Sequence, residues 1–384
     1  MRRILYIANY YLEDVIEQRQ SNAFVSQAGQ NKGQYIIDVL RMGGNEVVVW
    51  SNAWTSSRSM KVYRGFQSKE DPNVYYADII GFPMLNVWAC RHSAKKFLRA
   101  QMRERGLDVI VFYNMRLENA PVALYAKKKY GLPIILQYED GLTTDANIGS
   151  IKRMFYRRME RKVLPALDAA FLVNSKIRVP CPSVVIRGAL RDKGVMQTED
   201  MKKHEIPIVL FASTLDRQRG IYVLLESLKW TDAKFELYIT GKGEAISEIE
   251  ACRDERVKYL GYLDYDRYQK VLSDADICIN AQLAYHEFGN FSFPSKIYEY
   301  LSERKLVVSS DVADAKESLG NVLFVYENDS PILLAEQMEA AIECWKDRRA
   351  FEIRQYAIEK VLKENSIDKV ANRVNRMLES IGVN

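Results

Sequence analysis

Only five of the 384 residues are cysteine and only three are histidine. Cys90, Cys181, Cys252, Cys278 and Cys344 lie far apart, which excludes the paired-cysteine knuckles of zinc modules and argues against a disulfide framework. They are expected to be reduced and structural. No run approaches the roughly 18 consecutive apolar residues that a membrane-spanning helix needs. The opening MRRILYIANYYLED turns polar within a strand's length, too soon for a secretory leader, so the chain is expected in the cytoplasm. Low-complexity segments are missing, and so are repeats beyond a general likeness of the two halves. What is present is a 48% hydrophobic composition, enough for a large core; at roughly 150 residues per domain it predicts two domains.

The net charge of +5 conceals a division. Residues 1–190 hold 28 Lys and Arg against 16 Asp and Glu, a balance of +12, and the remainder holds 27 against 34, a balance of −7. A basic half suits nucleic acid, an anionic membrane surface or a phosphorylated substrate.

Short apolar β-rich runs alternate with amphipathic stretches from end to end. The first half has ILYIA (4–8), EVVVW (46–50), DVIVF (108–112), PIILQY (133–138) and AAFLV (169–173). The second has IPIVLFA (206–212), FELYIT (235–240), VKYLG (257–261), DICIN (276–280), LVVSS (306–310) and VLFVY (322–326). Runs apolar on both faces, separated by helices, predict an α/β protein with parallel sheets covered on both sides. The pattern lapses over 191–207, placing one Rossmann-like domain at 1–195 and another at 205–365. The helix of about 366–384 is expected to pack back on the first. In such sheets ligands bind outside the carboxyl ends of the strands, across the cleft between the domains.

The segment FPSKIYEYL (293–301) reads as a helix with Pro294 in its first turn, where a missing N–H costs nothing. Its free amides and dipole form an anion site. Lys296 can reach a phosphate, and Glu299, three residues on, shares its face and can accept from sugar hydroxyls. The loop before it, containing His286, Glu287, Gly289 and Ser292, leads from a strand end into this helix. Two similar strand ends follow the same plan: LFASTLDRQRG supplies Arg217 and Arg219, and LYITGKG supplies Gly241.

In order and spacing over about 110 residues, STLDRQRG (213–220), GKG (241–243), LGYL (260–263), ADICI (275–279), FPSKIYEYL (293–301) and LVVSSD (306–311) resemble the donor-binding domain of GT-B glycosyltransferases of the retaining family-4, or group 1, type. NKGQYIIDVLRMGGNEVVVW (31–50) and MERKVLPALDAAFLVNS (159–175) extend the resemblance into the first half more loosely. It implies two Rossmann-like domains and transfer of a sugar from a nucleoside diphosphate sugar, with retention and without a metal or other cofactor. By position it implies Arg219 on the diphosphate, with Arg217 substituting for an arginine the chain lacks at Thr214, Glu299 on the ribose, and Tyr262 and Leu263 beside the base. The amides from Gly289 to Ser295, Ser292 included, would line the phosphate and donor sugar. The chain departs from the family where Thr214 replaces an arginine and Phe291 replaces the first acid of a pair.

Glu139 and Asp140, after PIILQY, can orient hydroxyls or take a proton from an acceptor; capping of the next helix is the competing role. With Glu287 they are the candidate catalytic carboxylates, and His286 is the one histidine placed in the donor loop. The D-x-D triplets at 264–266 and 274–276 are read as helix-end structure rather than metal ligands. Lys152, Arg153, Arg157, Arg158 and Arg161 lie among Met154, Phe155 and Tyr156 in a basic helix suited to an anionic membrane surface. No nucleic-acid module is evident. The expectation is a cytoplasmic, membrane-peripheral glycosyltransferase that extends a lipid-linked glycan in bacterial surface polysaccharide or lipopolysaccharide assembly. A nucleotide-sugar epimerase of the same fold, which needs no acceptor, and a silent sugar-nucleotide-binding assembly partner are the alternatives.

Overall fold

Every one of the eleven apolar runs forms a strand. The computed structural model describes residues 1–20, 23, 25, 27–55, 60–139, 149–188, 204–285 and 292–383. In chain order the first half comprises β1 (Arg3–Ala8), α1 (Glu13–Arg19), α2 (Gln27–Met42), β2 (Glu46–Ser51), β3 (Val62–Tyr63), β4 (Val74–Tyr76), β5 (Ile79–Ile80), α3 (Pro83–Glu104), β6 (Val109–Tyr113), α4 (Ala120–Tyr130), β7 (Ile134–Tyr138), α5 (Ser150–Val163), β8 (Ala169–Leu172) and β9 (Ser183–Val185). The second comprises β10 (Ile208–Ala212), α6 (Ile221–Ser227), β11 (Glu236–Thr240), α7 (Ile246–Glu250), β12 (Val257–Tyr259), α8 (Tyr265–Asp274), β13 (Ile277–Asn280), α9 (Ser295–Ser302), β14 (Leu306–Ser310), α10 (Ala315–Leu319), β15 (Leu323–Tyr326), α11 (Pro331–Lys346), α12 (Arg348–Glu364) and α13 (Ile367–Ser380).

Two all-parallel sheets result, in the order β4-β2-β1-β6-β7-β8-β9 and β12-β11-β10-β13-β14-β15. This is the α/β, doubly wound arrangement of GT-B proteins. The strand order reverses between β1 and β6 in one sheet and between β10 and β13 in the other. Those two points are where open parallel sheets leave a crevice for ligands.

The chain divides into two units: Met1–Ile186 with Ile367–Asn384, and Arg187–Ser366. The division falls ahead of the charged stretch where the sequence placed it, and two side chains show why. In the first unit, Lys32 donates to the carbonyl of Ile186 at 2.5 Å. In the second, Arg187 is ion-paired to the buried carboxylate of Asp314 at 2.5 Å. Consecutive residues are thus tied to different cores. Asn375 in α13 accepts from Arg2 at 2.9 Å and donates to the carbonyl of Gly43 at 2.9 Å, holding the last helix in the first unit, where it packs on α2.

The second unit's core joins Phe211, Leu237, Ile239, Ile277 and Val308 of the sheet to Leu224 of α6 and Leu334, Met338 and Ile342 of α11. Strands such as β10 and β14 are buried along their whole length because helices cover both faces, and each large side chain so enclosed contributes about 1.5–3 kcal/mol.

Candidate active site

In the second unit the carboxyl ends of β10 and β13 are joined by loops whose backbones touch. Gly220 adopts a left-handed φ of 77°, and a Cβ there would lie 1.8 Å from the carbonyl oxygen of Ala281. The N–H of Leu283 donates to the carbonyl of Gln218 at 2.9 Å, stitching the same two loops together. Between them, Arg217–Arg219 form one 3-10 turn, capped by Asp216, which accepts from the Arg219 N–H at 2.8 Å.

That turn aims Arg219 inward, where its guanidinium donates to Gln282, and Gln282 donates in turn to Ser292 Oγ at 3.2 Å. Ser310 Oγ donates to the main-chain carbonyl of Gln282, fixing this residue from β14 as well. Arg217 faces outward. It is exposed, with its guanidinium 5.5 Å from the ring centre of Tyr222, and it does not join Arg219.

α9 opens at Ser295, and its N-cap residue, Pro294, has no side-chain hydrogen bond to offer the first turn. Lys296 reaches from that turn to the carbonyl of Ala212, the last residue of β10, and its ammonium lies 5.1 Å from the ring centre of Tyr268. Burial pushes the Lys296 pKa down, Glu299 and Cys278 pull it back up, and Arg219 adds to the lowering. Glu299 accepts from Gln269 Nε2 at 3.3 Å. Burial pushes the Tyr268 hydroxyl far up, with Tyr300 and Glu299 adding to the effect, so it stays protonated beside that carboxylate. Lys296, Glu299, Arg219 and Ser292 thus gather at the switch point as the sequence suggests. Gln282, Gln269 and Tyr268 belong with them, although no motif marks them.

The GKG segment owes its glycines to a backbone crossing. Gly241 has φ 146°, and a Cβ there would lie 1.8 Å from the carbonyl oxygen of Ser213; one on Gly243 would lie 2.1 Å from that of Leu215. Hydrogen bonds from Ser213 N–H to Thr240 at 3.1 Å and from Leu215 N–H to Lys242 at 2.9 Å complete the crossing. Beside it Tyr262 is 65% exposed, with the Lys242 ammonium 3.9 Å from its ring centre, and Leu263 is half-buried. His286, Glu287, Gly289 and Phe291 lie outside the described residues.

The aspartate triplets have structural tasks. Asp264 caps α8, accepting from the Arg267 N–H at 2.9 Å, and Asp276 accepts from the Ile208 N–H at 2.9 Å while pairing with His204 at 2.9 Å.

In the first unit Glu139 follows β7 and accepts from Gln137 Nε2 at 2.9 Å. Its carboxylate lies 3.5 Å from the ammonium of Lys32, whose pKa burial lowers against the pull of Glu139. Gln137 accepts from the hydroxyl of Tyr6 at 2.6 Å, and the Glu139 N–H donates to Asn114 at 2.8 Å. Lys32, from α2, is not among the residues singled out from the sequence as candidates for this site. Asp140 lies outside the described residues. On α5 the side chains of Lys152, Arg157, Arg158 and Arg161 are exposed together with Ile151, Met154 and Phe155, while Arg153 is half-buried.

Residues 206–344 match the family model for glycosyl transferases group 1. No curated protein sequence matches significantly. Among solved structures, the chain is similar to Anabaena HepE in complex with UDP, with a TM-score of 0.69 at 15% identity, over 99% of this chain and 100% of that one. It is also similar to sucrose-phosphate synthase from Thermosynechococcus elongatus, with a TM-score of 0.68 at 14% identity, over 99% and 100% of the two chains. A glycosyltransferase from Rickettsia africae gives a TM-score of 0.65 at 16% identity, over 99% and 98%. Residues 206–344, within the second unit, thus match a group 1 glycosyl transferase domain, and the chain as a whole has the GT-B fold of these solved structures.

Proposed function

We propose that the protein moves a sugar, with retention, from a nucleoside diphosphate sugar to a lipid-linked glycan acceptor in bacterial surface polysaccharide or lipopolysaccharide assembly. The observation that carries the donor reading is the meeting of Arg219 and Lys296 at the β10/β13 switch point, beside the proline-led first turn of α9. Two cations and a helix N-terminus there suit a diphosphate. The diphosphate is also the leaving group, so charge that develops on it during transfer falls among donors already in place. No metal or other cofactor is required for this role. Glu299, steadied by Gln269, would accept from the ribose hydroxyls, and Tyr262 with Leu263 would flank the base. HepE, of the same fold, was solved with UDP and with UDP-glucose, which supports a uridine donor here.

The membrane reading rests on α5. Its exposed Ile151, Met154 and Phe155 sit among exposed Arg157, Arg158, Arg161 and Lys162, an array suited to an anionic headgroup layer at the cytoplasmic face. No helix among the described residues is long and apolar enough to cross a membrane. A thermal-shift screen of nucleoside diphosphates and their sugars tests the donor reading. A ligand at 100 times its Kd stabilises the fold by about 2.7 kcal/mol, and a screen in which none raises Tm contradicts it.

A further inference from the structure

The strand order of the first sheet reverses between β1 and β6, and a charged cluster gathers there that donor binding does not use. Arg116 lies two residues beyond Asn114, whose left-handed φ of 49° turns the chain out of β6. Its guanidinium lies 4.2 Å from the ring centre of Trp54, in the segment after β2. The Arg116 Nε is enclosed and bonds to nothing, and the side chain forms no ion pair among the described residues. The surroundings are braced: Tyr11 donates to the Trp54 carbonyl at 3.1 Å, and Asn52 donates to Asn119 at 2.7 Å. The nearby carboxyl of Glu118 is only 6% exposed, and its Oε1 is likewise buried without a partner.

We propose that Arg116, held on Trp54 at the switch point of the first sheet, binds an anionic group of the acceptor, a phosphate or a carboxylate. The identification of that anion with an acceptor rests on the transfer reading above; the anion site itself rests on the geometry of this cluster. Stacking on an indole fixes the plane of a guanidinium and leaves its edge donors free for the two-pronged contact that phosphates and carboxylates accept. A cation half removed from water is costly unless something supplies the opposite charge. Glu118 does not supply it fully, since burial pushes its carboxyl up toward the neutral form against Arg116, Lys152 and Arg91. Arg19 makes the contrast. It is fully buried and, although its Nε is also unpaired, both of its terminal nitrogens donate to carbonyls, those of Asn52 and Ala77, so it is a strut between segments. Among the described residues the terminal nitrogens of Arg116 make no such bonds, and Arg116 sits where open parallel sheets take their ligands.

The test uses the full chain as wild type, R116A and R116Q, the last keeping a planar group over Trp54. Each is titrated calorimetrically with inorganic pyrophosphate and, separately, with glucuronic acid, after saturation with whichever nucleoside diphosphate the protein binds. The wild type is expected to bind one of the two probes, pyrophosphate marking a phosphorylated acceptor and glucuronate an acidic sugar. Both variants should bind it at least tenfold more weakly, with nucleoside diphosphate affinity unchanged. Equal probe binding by wild type and variants, or no binding of either probe to the wild type, overturns the proposal. If no nucleoside diphosphate binds, the donor reading fails, and the same titrations on the unliganded protein still decide the role of Arg116.

Discussion

The ammonium of Lys296 donates to the main-chain carbonyl of Ala212, so a side chain from the first turn of α9 closes onto the last residue of β10. Donor binding would exchange that carbonyl for a diphosphate oxygen. A hydrogen bond to a charged group is worth about 1.5–3 kcal/mol, so Lys296→Ala should weaken nucleoside diphosphate binding tenfold or more. Transfer should be lost while circular dichroism stays that of the wild type. Wild-type turnover in both K296A and E299A would count against the site. Because burial lowers the Lys296 pKa, its charge is lost on the alkaline side before that of an ordinary lysine. Donor affinity should therefore begin to fall below pH about 10.4, and K296R should remove that limb wherever it still binds.

The close approach of Gly220 to Ala281 makes a stability prediction. G220A places a methyl 1.8 Å from a carbonyl oxygen at a positive φ, and G241A does the same against Ser213. Each should cost well over the ~1–2 kcal/mol of a left-handed alanine alone. Gly261, at φ 70° with nothing within 4 Å of a Cβ, provides the control and should lose only that smaller amount. Urea midpoints of the three variants check the ranking.

Acid stability should depend on Glu46. Burial alone would raise its pKa, but Arg3 at 3.0 Å and Arg105 at 2.6 Å more than offset this and lower it. A carboxylate with a lowered folded pKa contributes stability that is present above its unfolded value and lost as pH falls through the folded one. E46Q should therefore be less stable than wild type at pH 7, and the difference should shrink below about pH 4.3. Denaturant titrations at several pH values would show a constant difference if the pairing were inert.

For α5, reversal of Arg157, Arg158 and Arg161 to Glu should lower binding to phosphatidylglycerol vesicles by at least a hundredfold, since each basic residue near the surface is worth about 1 kcal/mol. Turnover of a short water-soluble acceptor should not change. Vesicle sedimentation that is indifferent both to the substitutions and to salt would remove the membrane role.

The two large sheets were legible because eleven of their thirteen strands fall in short, largely apolar runs of the sequence. β4 and β9, three-residue strands at the edges of the first sheet, lack such a run. In the candidate donor site, Lys296 and Glu299 were readable from their spacing in one helix start and Arg219 from its place after a strand, ahead of another. Gln282 and Gln269 were not, because a lone glutamine becomes informative only when two strand ends or two helices bring it to a partner. The same holds for Lys32, which finds Glu139 across more than a hundred residues of chain, and for Arg116, whose meaning depends on Trp54 from a different loop. The outward course of Arg217 follows from its place at the start of a single 3-10 turn that points Arg219 the other way, a rotation that spacing alone does not disclose.

The central claim is that Arg219 and Lys296 together receive a nucleotide's diphosphate. The most direct measurement is calorimetric titration of the nucleoside diphosphate found by thermal shift into wild type and into the R219A/K296A double variant. Two charge-assisted contacts predict an affinity at least a hundredfold lower in the double variant, with its fold intact by circular dichroism. Equal affinity in the two proteins would contradict the account.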